Sequence, residues 1–263
     1  MSTSTFLKER YKSLLIYVIK YFIRTITKNF LPNKSLKTVL ILAPHPDDEI
    51  LGLGGIIMQT LQKDGKVHLV YLTDGEGSRV WPDLEEIKRQ RLALTDQVCE
   101  KLGINLSSIT RLHLPDGAVP YPGKPGFEEA VKSIRQLIEG LKPDAVFATH
   151  TLDYWPYDHV ACAHIAKEAV KQSAHKTQLW YYWVWTWYNL RPWQLFKLNY
   201  GKIFRIDITE QLAQKNELSD IYLNSLTPNG KPWSGVLPKA LVKALSQPFE
   251  VIEKIEVNQN EII

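Results

Sequence analysis

One turn of the chain collects side chains that are typical of a metal-dependent reaction. Residues 44–49 read Pro-His-Pro-Asp-Asp-Glu, so one imidazole and three carboxylates are near neighbours. The apolar run Thr38–Ala43 before this turn predicts a buried β-strand, and the apolar residues after it predict the start of a helix. Burying unpaired carboxylates together is costly unless a cation or a proton shares the site, so the pattern indicates a divalent metal ion.

The ligands of this metal can be predicted from residue type and spacing. His45 and Asp48 lie three residues apart in the turn. A histidine nitrogen with a carboxylate oxygen suits Zn²⁺ or another first-row divalent ion, with Fe²⁺ as the alternative. Because a catalytic zinc site needs a third protein ligand and an open position for water, His159 is the best further candidate. Asp47 would then lie beside the bound water and act as its general base.

The rest of the sequence predicts the elements that must position these residues. From residue 37 onward, strand-like runs alternate with helix-like runs, which is typical of a doubly wound, mostly parallel α/β sheet with helices on both faces. With a strand order of 3-2-1-4-5, the first and fourth strands are neighbours and their carboxyl ends open on one crevice. The loop after the fourth strand then brings His150, Asp153, Asp158 and His159 towards the turn that holds His45.

Other polar residues at the strand ends are candidates for substrate binding. Asp74 and Glu76 follow the second strand, where they could bind sugar hydroxyls or simply cap the loop. Arg91 could pair with one of them, contact a phosphate or be an exposed helix charge. Asp116 follows the third strand and could be a turn residue. The aromatic run at residues 180–188 fits either core packing or a platform for a sugar.

The charge is concentrated at the amino terminus. Residues 1–36 carry seven cationic side chains against one carboxylate, for a net charge of +6, so the remaining residues carry −2 of the overall +4. This division argues against a nucleic-acid groove on the body, residues 37–263, which we expect to be a single domain. Two cysteines in helix-like runs predict no disulfide and favour a reducing, cytoplasmic location.

The basic amino-terminal arm, residues 1–36, has apolar residues at helical spacing. The longest uncharged stretch is far shorter than the about 20 residues of a membrane-spanning helix. Two interpretations remain open for residues 8–30. The helix could lie on an anionic membrane surface as a peripheral contact, or it could pack on the body with a solvated basic edge.

The motif at residues 44–49, followed by Leu-Gly at 51–52, resembles the signature of the LmbE-like, or PIG-L, de-N-acetylases. Similarity at residues 73–76, 114–117 and 158–159 extends the resemblance over roughly residues 37–223. It implies a Rossmann-like fold and zinc-dependent removal of acetyl groups from N-acetylglucosamine units. It also implies that His45, Asp48 and His159 bind zinc and that Asp47 is the general base.

One departure from the family affects the predicted chemistry. Residues 156–159 read Pro-Tyr-Asp-His where the family often has His-Pro-Asp-His. In the family the first histidine helps to stabilise the oxyanion with the aspartate as its partner, which implies a catalytic place for Asp158. Pro156 cannot donate, and losing one oxyanion donor cost roughly 10²–10³ in rate in a studied hydrolase. Tyr154, Tyr157 and His150 are the candidate replacements, although His150 could simply end a strand.

The sequence therefore predicts a metal-dependent N-deacetylase that hydrolyses the acetamide of an N-acetylglucosamine-type sugar, on a glycolipid or a saccharide precursor. Two alternatives stay open. One is a zinc amidase that acts on another N-acyl small molecule. The other is a catalytically weakened sugar- or metal-binding relative, which Pro156 would favour.

Overall fold

The computed structural model describes residues 3–30 and 36–258 of the chain. The strands are β1 Lys28–Asn29, β2 Thr38–Ala43, β3 Lys66–Thr73, β4 Ile109–Leu114, β5 Ala145–Thr149, β6 Gln178–Tyr182, β7 Ile203–Asp207 and β8 Phe249–Ile255. The helices are α1 Thr3–Ile26, α2 Asp48–Leu61, α3 Leu84–Leu102, α4 Phe127–Leu141, α5 Tyr157–Gln172, α6 Thr186–Asn189, α7 Pro192–Leu195, α8 Leu212–Asn224 and α9 Lys239–Leu245.

The described strands form one sheet in the order β1-β7-β8-β6-β5-β2-β3-β4. The part from β4 to β6 is parallel, and it is the predicted order 3-2-1-4-5, which is therefore confirmed. Beyond β6 the sheet continues through β8, which runs antiparallel to both β6 and β7. The fold is a mostly parallel α/β sheet, and its carboxyl edge at β2 and β5 is where the candidate site lies.

Helices cover both faces of the sheet, as the alternation of strand side chains requires. Val39 and Ile41 of β2 contribute to the core on one face, together with residues of α1, α2, α3, α8 and α9. Leu40 and Leu42 point to the opposite face, where α4 and α5 pack. This two-sided burial explains why the parallel strands read as continuous apolar runs in the sequence.

Helix α2 packs unusually close to the sheet near its amino terminus. A Cβ added at Gly52 would stand 2.4 Å from the ring of Tyr182 on β6, so only glycine permits this approach. The aromatic run at residues 180–188 is largely buried, which settles its open alternatives in favour of core packing. The close contact between α2 and β6 places the start of α2 directly at the sheet's carboxyl edge.

Helix α1 packs on the body through one face. Leu15, Ile16, Ile19 and Ile23 are buried in the same core as β2 and α2. The inner face of α1 therefore packs on the body, as one of the two interpretations of the sequence predicted. Among the described residues, no helix has both the length and the apolar character that crossing a membrane would require.

Candidate metal centre

Two loops converge at the carboxyl edge of the sheet. Strands β2 and β5 are parallel neighbours, so the turn after Ala43 and the loop after Thr149 leave the sheet side by side. The rings of His45 from the first loop and His159 from the second lie 5.3 Å apart, centroid to centroid. The topology thus brings together residues that are more than a hundred positions apart in the chain.

Three ligand atoms form a compact triangle. Asp48 Oδ2 lies 3.2 Å from His45 Nδ1 and 3.2 Å from His159 Nε2. Zinc bonds of about 2.0–2.1 Å in a tetrahedron imply ligand atoms about 3.3 Å apart. The three side chains are nearly or fully buried, both distances to Asp48 Oδ2 match this separation, and all three ligand atoms lie within 4.8 Å of one another.

The ring of His159 is held so that one nitrogen faces this triangle. Its Nδ1 lies 3.1 Å from Asp153 Oδ2, and Asp153 also accepts the backbone N–H of Trp185 at 3.1 Å. The backbone N–H of Val184 and the hydroxyl of Thr186 complete the contacts of this carboxylate. His159 Nε2 is buried and makes no hydrogen bond of good geometry; its close polar neighbour is Asp48 Oδ2 at 3.2 Å, as expected for two atoms that would share a metal. The residues therefore fit a divalent cation.

The ring of His45 is held by carboxylates in a similar way. Its Nε2 lies 3.1 Å from Asp158 Oδ2 and 3.2 Å from Asp116 Oδ1, which leaves Nδ1 directed at Asp48. Asp158 is itself fixed by the backbone N–H groups of Gly117 at 2.6 Å and Val119 at 3.1 Å. Burial lowers the pKa of His45, but Asp116 and Asp158 with Asp48 outweigh it and raise that pKa well above its usual value.

The charge of the neighbouring acids also acts on His159. Burial lowers the pKa of this imidazole, but the charge of Asp48 and the contact with Asp153 raise it to about 9. The neighbouring acids thus favour the protonated form of both imidazoles. A bound cation would displace those protons, since neutral imidazole is the metal ligand. The site has the excess of negative charge that a divalent cation can balance.

Asp47 sits beside the triangle in a strained conformation. Its φ is 125°, a region that side chains other than glycine rarely adopt, and such residues cost about 1–3 kcal/mol and cluster at functional sites. Glu49 Oε2 accepts the backbone N–H of Asp47 at 3.0 Å. Arg91 donates to Asp47 Oδ2 at 3.2 Å and to the carbonyl of Pro46 at 2.5 Å. These contacts hold the carboxylate of Asp47 in place.

Burial shifts the pKa values of both acids in this group. It raises the pKa of Asp47 to about 8, although the charge of Arg91 opposes the rise. It raises the pKa of Glu49 to about 7, although the hydroxyl of Tyr222, which donates at 2.7 Å, opposes it. A carboxylate whose pKa is raised in this way is well suited to accept a proton near neutral pH.

The residues predicted to bind substrate take up supporting positions. Asp74 contacts His113 Nδ1 and Lys88 Nζ, both at 2.8 Å. Glu76 Oε1 accepts the backbone N–H of Asp116 at 3.0 Å. Arg91 is buried behind the turn, where its guanidinium also donates to the carbonyl groups of residues 75 and 234. Among these residues, Asp116 contacts a candidate metal ligand directly.

Two of the predicted catalytic side chains point elsewhere. His150 Nε2 lies 2.6 Å from Glu253 Oε2, and its Nδ1 accepts the backbone N–H of Leu152 at 2.9 Å, so both ring nitrogens are engaged. The hydroxyl of Tyr154 donates to the carbonyl of Asn189 at 2.5 Å. The structure therefore brings together His45, Asp47, Asp48, Asp116, Asp158 and His159, and it directs His150 and Tyr154 to other partners.

The sequence predicts that Asp153 lies in the same loop as His159 but does not predict its role, and it gives no sign of a role for His113. Asp153 follows β5 in the same loop as His159, and an acid six residues before a candidate histidine ligand was the available signal. His113 pairs with Asp74 from a position with a φ of 52°. A separation of six residues corresponds to no helix or turn spacing rule, and His113 of β4 meets Asp74 only because β3 and β4 are neighbours in the sheet.

Comparisons with known proteins agree with this geometry. The chain is similar to the diacetylchitobiose deacetylase of Thermococcus kodakarensis, with 31% identity over 147 residues, which is 53% of this chain and 51% of that protein. It is also similar to a probable N-acetyl-α-D-glucosaminyl L-malate deacetylase 2 of Bacillus subtilis, with 27% identity over 143 residues, 52% of this chain and 61% of that protein. The matches thus span between half and three fifths of the length of these curated relatives.

A solved structure shares the fold. The N,N'-diacetylchitobiose deacetylase from Pyrococcus horikoshii superposes with a TM-score of 0.59 at 22% identity, covering 81% of this chain and 80% of that one. The model of the PIG-L family, described as GlcNAc-PI de-N-acetylase, matches residues 40–170, the segment that holds both loops of the metal centre. On the motif, the fold and the arrangement of the site, the chain belongs to the PIG-L family.

Proposed function

We propose that this protein hydrolyses the acetamide group of an N-acetylglucosamine-type sugar with the help of a divalent cation. His45, Asp48 and His159 would hold the cation, with Zn²⁺ as the first choice and Fe²⁺ as the alternative. The observation that carries the proposal is the buried His159 Nε2, which makes no hydrogen bond of good geometry and faces Asp48 Oδ2 at 3.2 Å, beside the strained Asp47. A site built only for stability would not place such a nitrogen against a carboxylate oxygen beside a strained acid.

The chemistry needs a cation, a base and a proton donor. A cation at this position would polarise the acetamide carbonyl and lower the pKa of water. Asp47 takes a proton from the attacking water as the new C–O bond forms. When the C–N bond breaks, the same carboxyl group returns the proton to the leaving nitrogen, so the products are acetate and the free amine. Arg91 and Glu49 keep Asp47 aligned through both transfers.

The substrate class is inferred from the relatives. Both curated relatives are named for the deacetylation of N-acetylglucosamine-containing compounds, and the family is described by a de-N-acetylase activity. An acetamido sugar is therefore the substrate that we favour over other N-acyl small molecules. Attachment of that sugar to a lipid or to a saccharide precursor is a finer assignment that substrate assays would have to make.

Pro156 supports a second candidate function. The position has no side-chain donor, and the neighbouring candidates His150 and Tyr154 already have hydrogen-bond partners within the protein. A relative that binds metal and sugar but turns over slowly would fit this arrangement. The two functions differ in turnover, while both require the metal.

The test combines metal analysis with acetate release. Wild-type protein reconstituted with Zn²⁺ should carry about one ion per chain, as the ligand set implies, and should release acetate from N,N'-diacetylchitobiose. His159→Ala should lose both. His164→Ala is the matched control on the same helix, because its imidazole contacts the hydroxyl of Tyr121 at 3.0 Å instead of the metal centre. Metal binding without acetate release would favour the weakened relative, and absence of bound metal from the wild type would refute the hydrolase.

A further inference from the structure

The outer face of helix α1 is apolar and exposed. Leu7, Tyr11, Leu14, Tyr17 and Tyr21 are between 56% and 70% exposed. Steps of three or four residues along a helix stay on one side of it, so these side chains form a continuous stripe opposite the face that packs on the body. We call them the outer stripe. Exposed apolar stripes of this kind mark a surface that binds something.

The charge next to the outer stripe is positive. Residues 7–30 include six cationic side chains and one carboxylate, Glu9. Two of the cations fasten the helix to the body, because Lys12 Nζ donates to the carbonyl of Tyr188 at 2.5 Å and Lys20 Nζ donates to that of Lys243 at 3.2 Å. Burial lowers the pKa of both ammonium groups, and neighbouring cations lower it further. Helix α1 itself carries five of these cations against the one carboxylate, so its charge is positive.

The segment that α1 packs against carries further exposed rings. Helix α1 contacts α6, and α7 begins three residues after α6 ends. Trp193 of α7 is 55% exposed, with the guanidinium of Arg191 5.3 Å from its ring centre, and Phe196 is 82% exposed. Tyrosine and tryptophan beside basic residues are the side chains that suit the headgroup region of a bilayer.

We propose that the outer stripe, together with Trp193 and Phe196, is a docking surface for an anionic membrane. Apolar and aromatic side chains would enter the interface while the cations meet lipid phosphates and carboxylates. A second copy of the chain is the less suitable occupant. Pairing two outer stripes would bring two bands of positive charge together with one carboxylate each to offset them.

A series of hydrogen bonds leads from helix α1 to the loop that precedes His159. The segment that α1 holds through Tyr188 continues to Asn189, whose carbonyl accepts the hydroxyl of Tyr154 and whose amide donates to the carbonyl of Trp155 at 2.8 Å. Trp155 lies four residues before His159 on the loop that enters the site. Docking at α1 would therefore bring the loop that precedes His159 towards the membrane surface.

Sedimentation with vesicles tests the proposal on the full chain without substrate. Vesicles of phosphatidylcholine mixed with phosphatidylglycerol should bind the protein, pure phosphatidylcholine should bind it weakly, and added salt should weaken binding. Leu14→Ser should lower the partition coefficient about tenfold, the order expected for losing one buried leucine. Leu106→Ser is the matched control, because Leu106 is exposed to 60%, close to the 64% of Leu14, but lies between α3 and β4.

Three results of these experiments would overturn the membrane proposal. Failure of the wild type to bind anionic vesicles, or an equal loss in Leu106→Ser, would overturn the proposal. So would a dimer in light scattering that Leu14→Ser dissociates, because the stripe would then bind a second copy. Metal content and acetate release, measured on the same proteins without lipid, report on the hydrolase separately, so that either proposal can fail alone.

Discussion

Replacing Asp153 tests how the protein prepares His159 for metal binding. The two carboxylate oxygens of Asp153 have different hydrogen-bond partners. Oδ2 accepts from His159 Nδ1 and from the backbone N–H groups of residues 184 and 185, while Oδ1 accepts the hydroxyl of Thr186. In Asp153→Asn, the amide oxygen can take the place of Oδ2 and the amide nitrogen that of Oδ1. The hydroxyl of Thr186 can then reverse and accept.

The expected size of the effect follows from what each variant keeps. Asparagine keeps the geometry and loses the charge, so the hydrogen bond from His159 becomes a neutral one, which is about half as strong. Loss of such a supporting group lowers metal affinity about 10- to 100-fold. We expect Asp153→Asn to weaken zinc binding about 10-fold, a loss of about 1.4 kcal/mol in binding free energy. We expect Asp153→Ala to weaken it about 100-fold, a loss of about 2.7 kcal/mol.

The assay is competition for Zn²⁺ between the protein and a chromophoric chelator, with thermal unfolding of the metal-free protein measured in parallel. Glu250→Gln is the control for general destabilisation. Glu250 is also a buried carboxylate, and it accepts the backbone N–H groups of Gly55 and Ile56 and pairs with Lys215 at 2.8 Å. This variant should lower Tm and keep its zinc affinity. Wild-type affinity in Asp153→Ala, or an equal loss in Glu250→Gln, would refute the reasoning.

Three further changes separate chemistry from stability. Asp47→Asn keeps the side-chain size and tolerates a φ of 125°; it should lower kcat by roughly 10²–10⁴ at unchanged zinc content, and wild-type kcat would exclude Asp47 as the base. Gly52→Ala puts a Cβ 2.4 Å from the Tyr182 ring, so urea unfolding should show a loss of about 1–3 kcal/mol, and wild-type stability would contradict that close contact. Asp74→Asn should cost about 1 kcal/mol at neutral pH. Burial raises the pKa of Asp74, but Lys88 outweighs it, so the pKa is lowered on folding. The contribution of Asp74 to the free energy of unfolding is therefore complete above the ordinary carboxyl pKa and is lost as the pH falls. If the wild type stayed more stable than Asp74→Asn in acid, this predicted pH dependence would be wrong.

The sequence was sufficient to predict the order of the five parallel strands from β2 to β6 and to propose three candidate ligands, which the structure brings together. Thr38–Ala43 reads as a buried strand because both faces of a parallel sheet are covered, and the acids that follow it have no role in packing. From the strand order alone, His45 and His159 had to open on the same crevice. These predictions depend on local periodicity and on topology, which the chain specifies strongly.

The supporting contacts could not be predicted in the same way. Arg91 was open to three interpretations, because a charge on an amphipathic helix has no directional signal in the sequence. In the structure its guanidinium is buried, since the carbonyls of Pro46, Gly75 and Ser234 and the carboxylate of Asp47 all receive its donors. Contacts to backbone atoms depend on how loops lie against one another, and residue type does not report them.

The metal centre depends on three strands instead of two. The turn after β2 supplies His45 and Asp48, the loop after β5 supplies Asp153 and His159, and the chain leaving β6 supplies the backbone N–H groups that fix Asp153. The aromatic residues at 180–188 thus act on the site through their backbone, while their rings fill the core. Because burial of these rings fixes the backbone at residues 184 and 185, packing on one face of the sheet determines the direction of His159 Nε2.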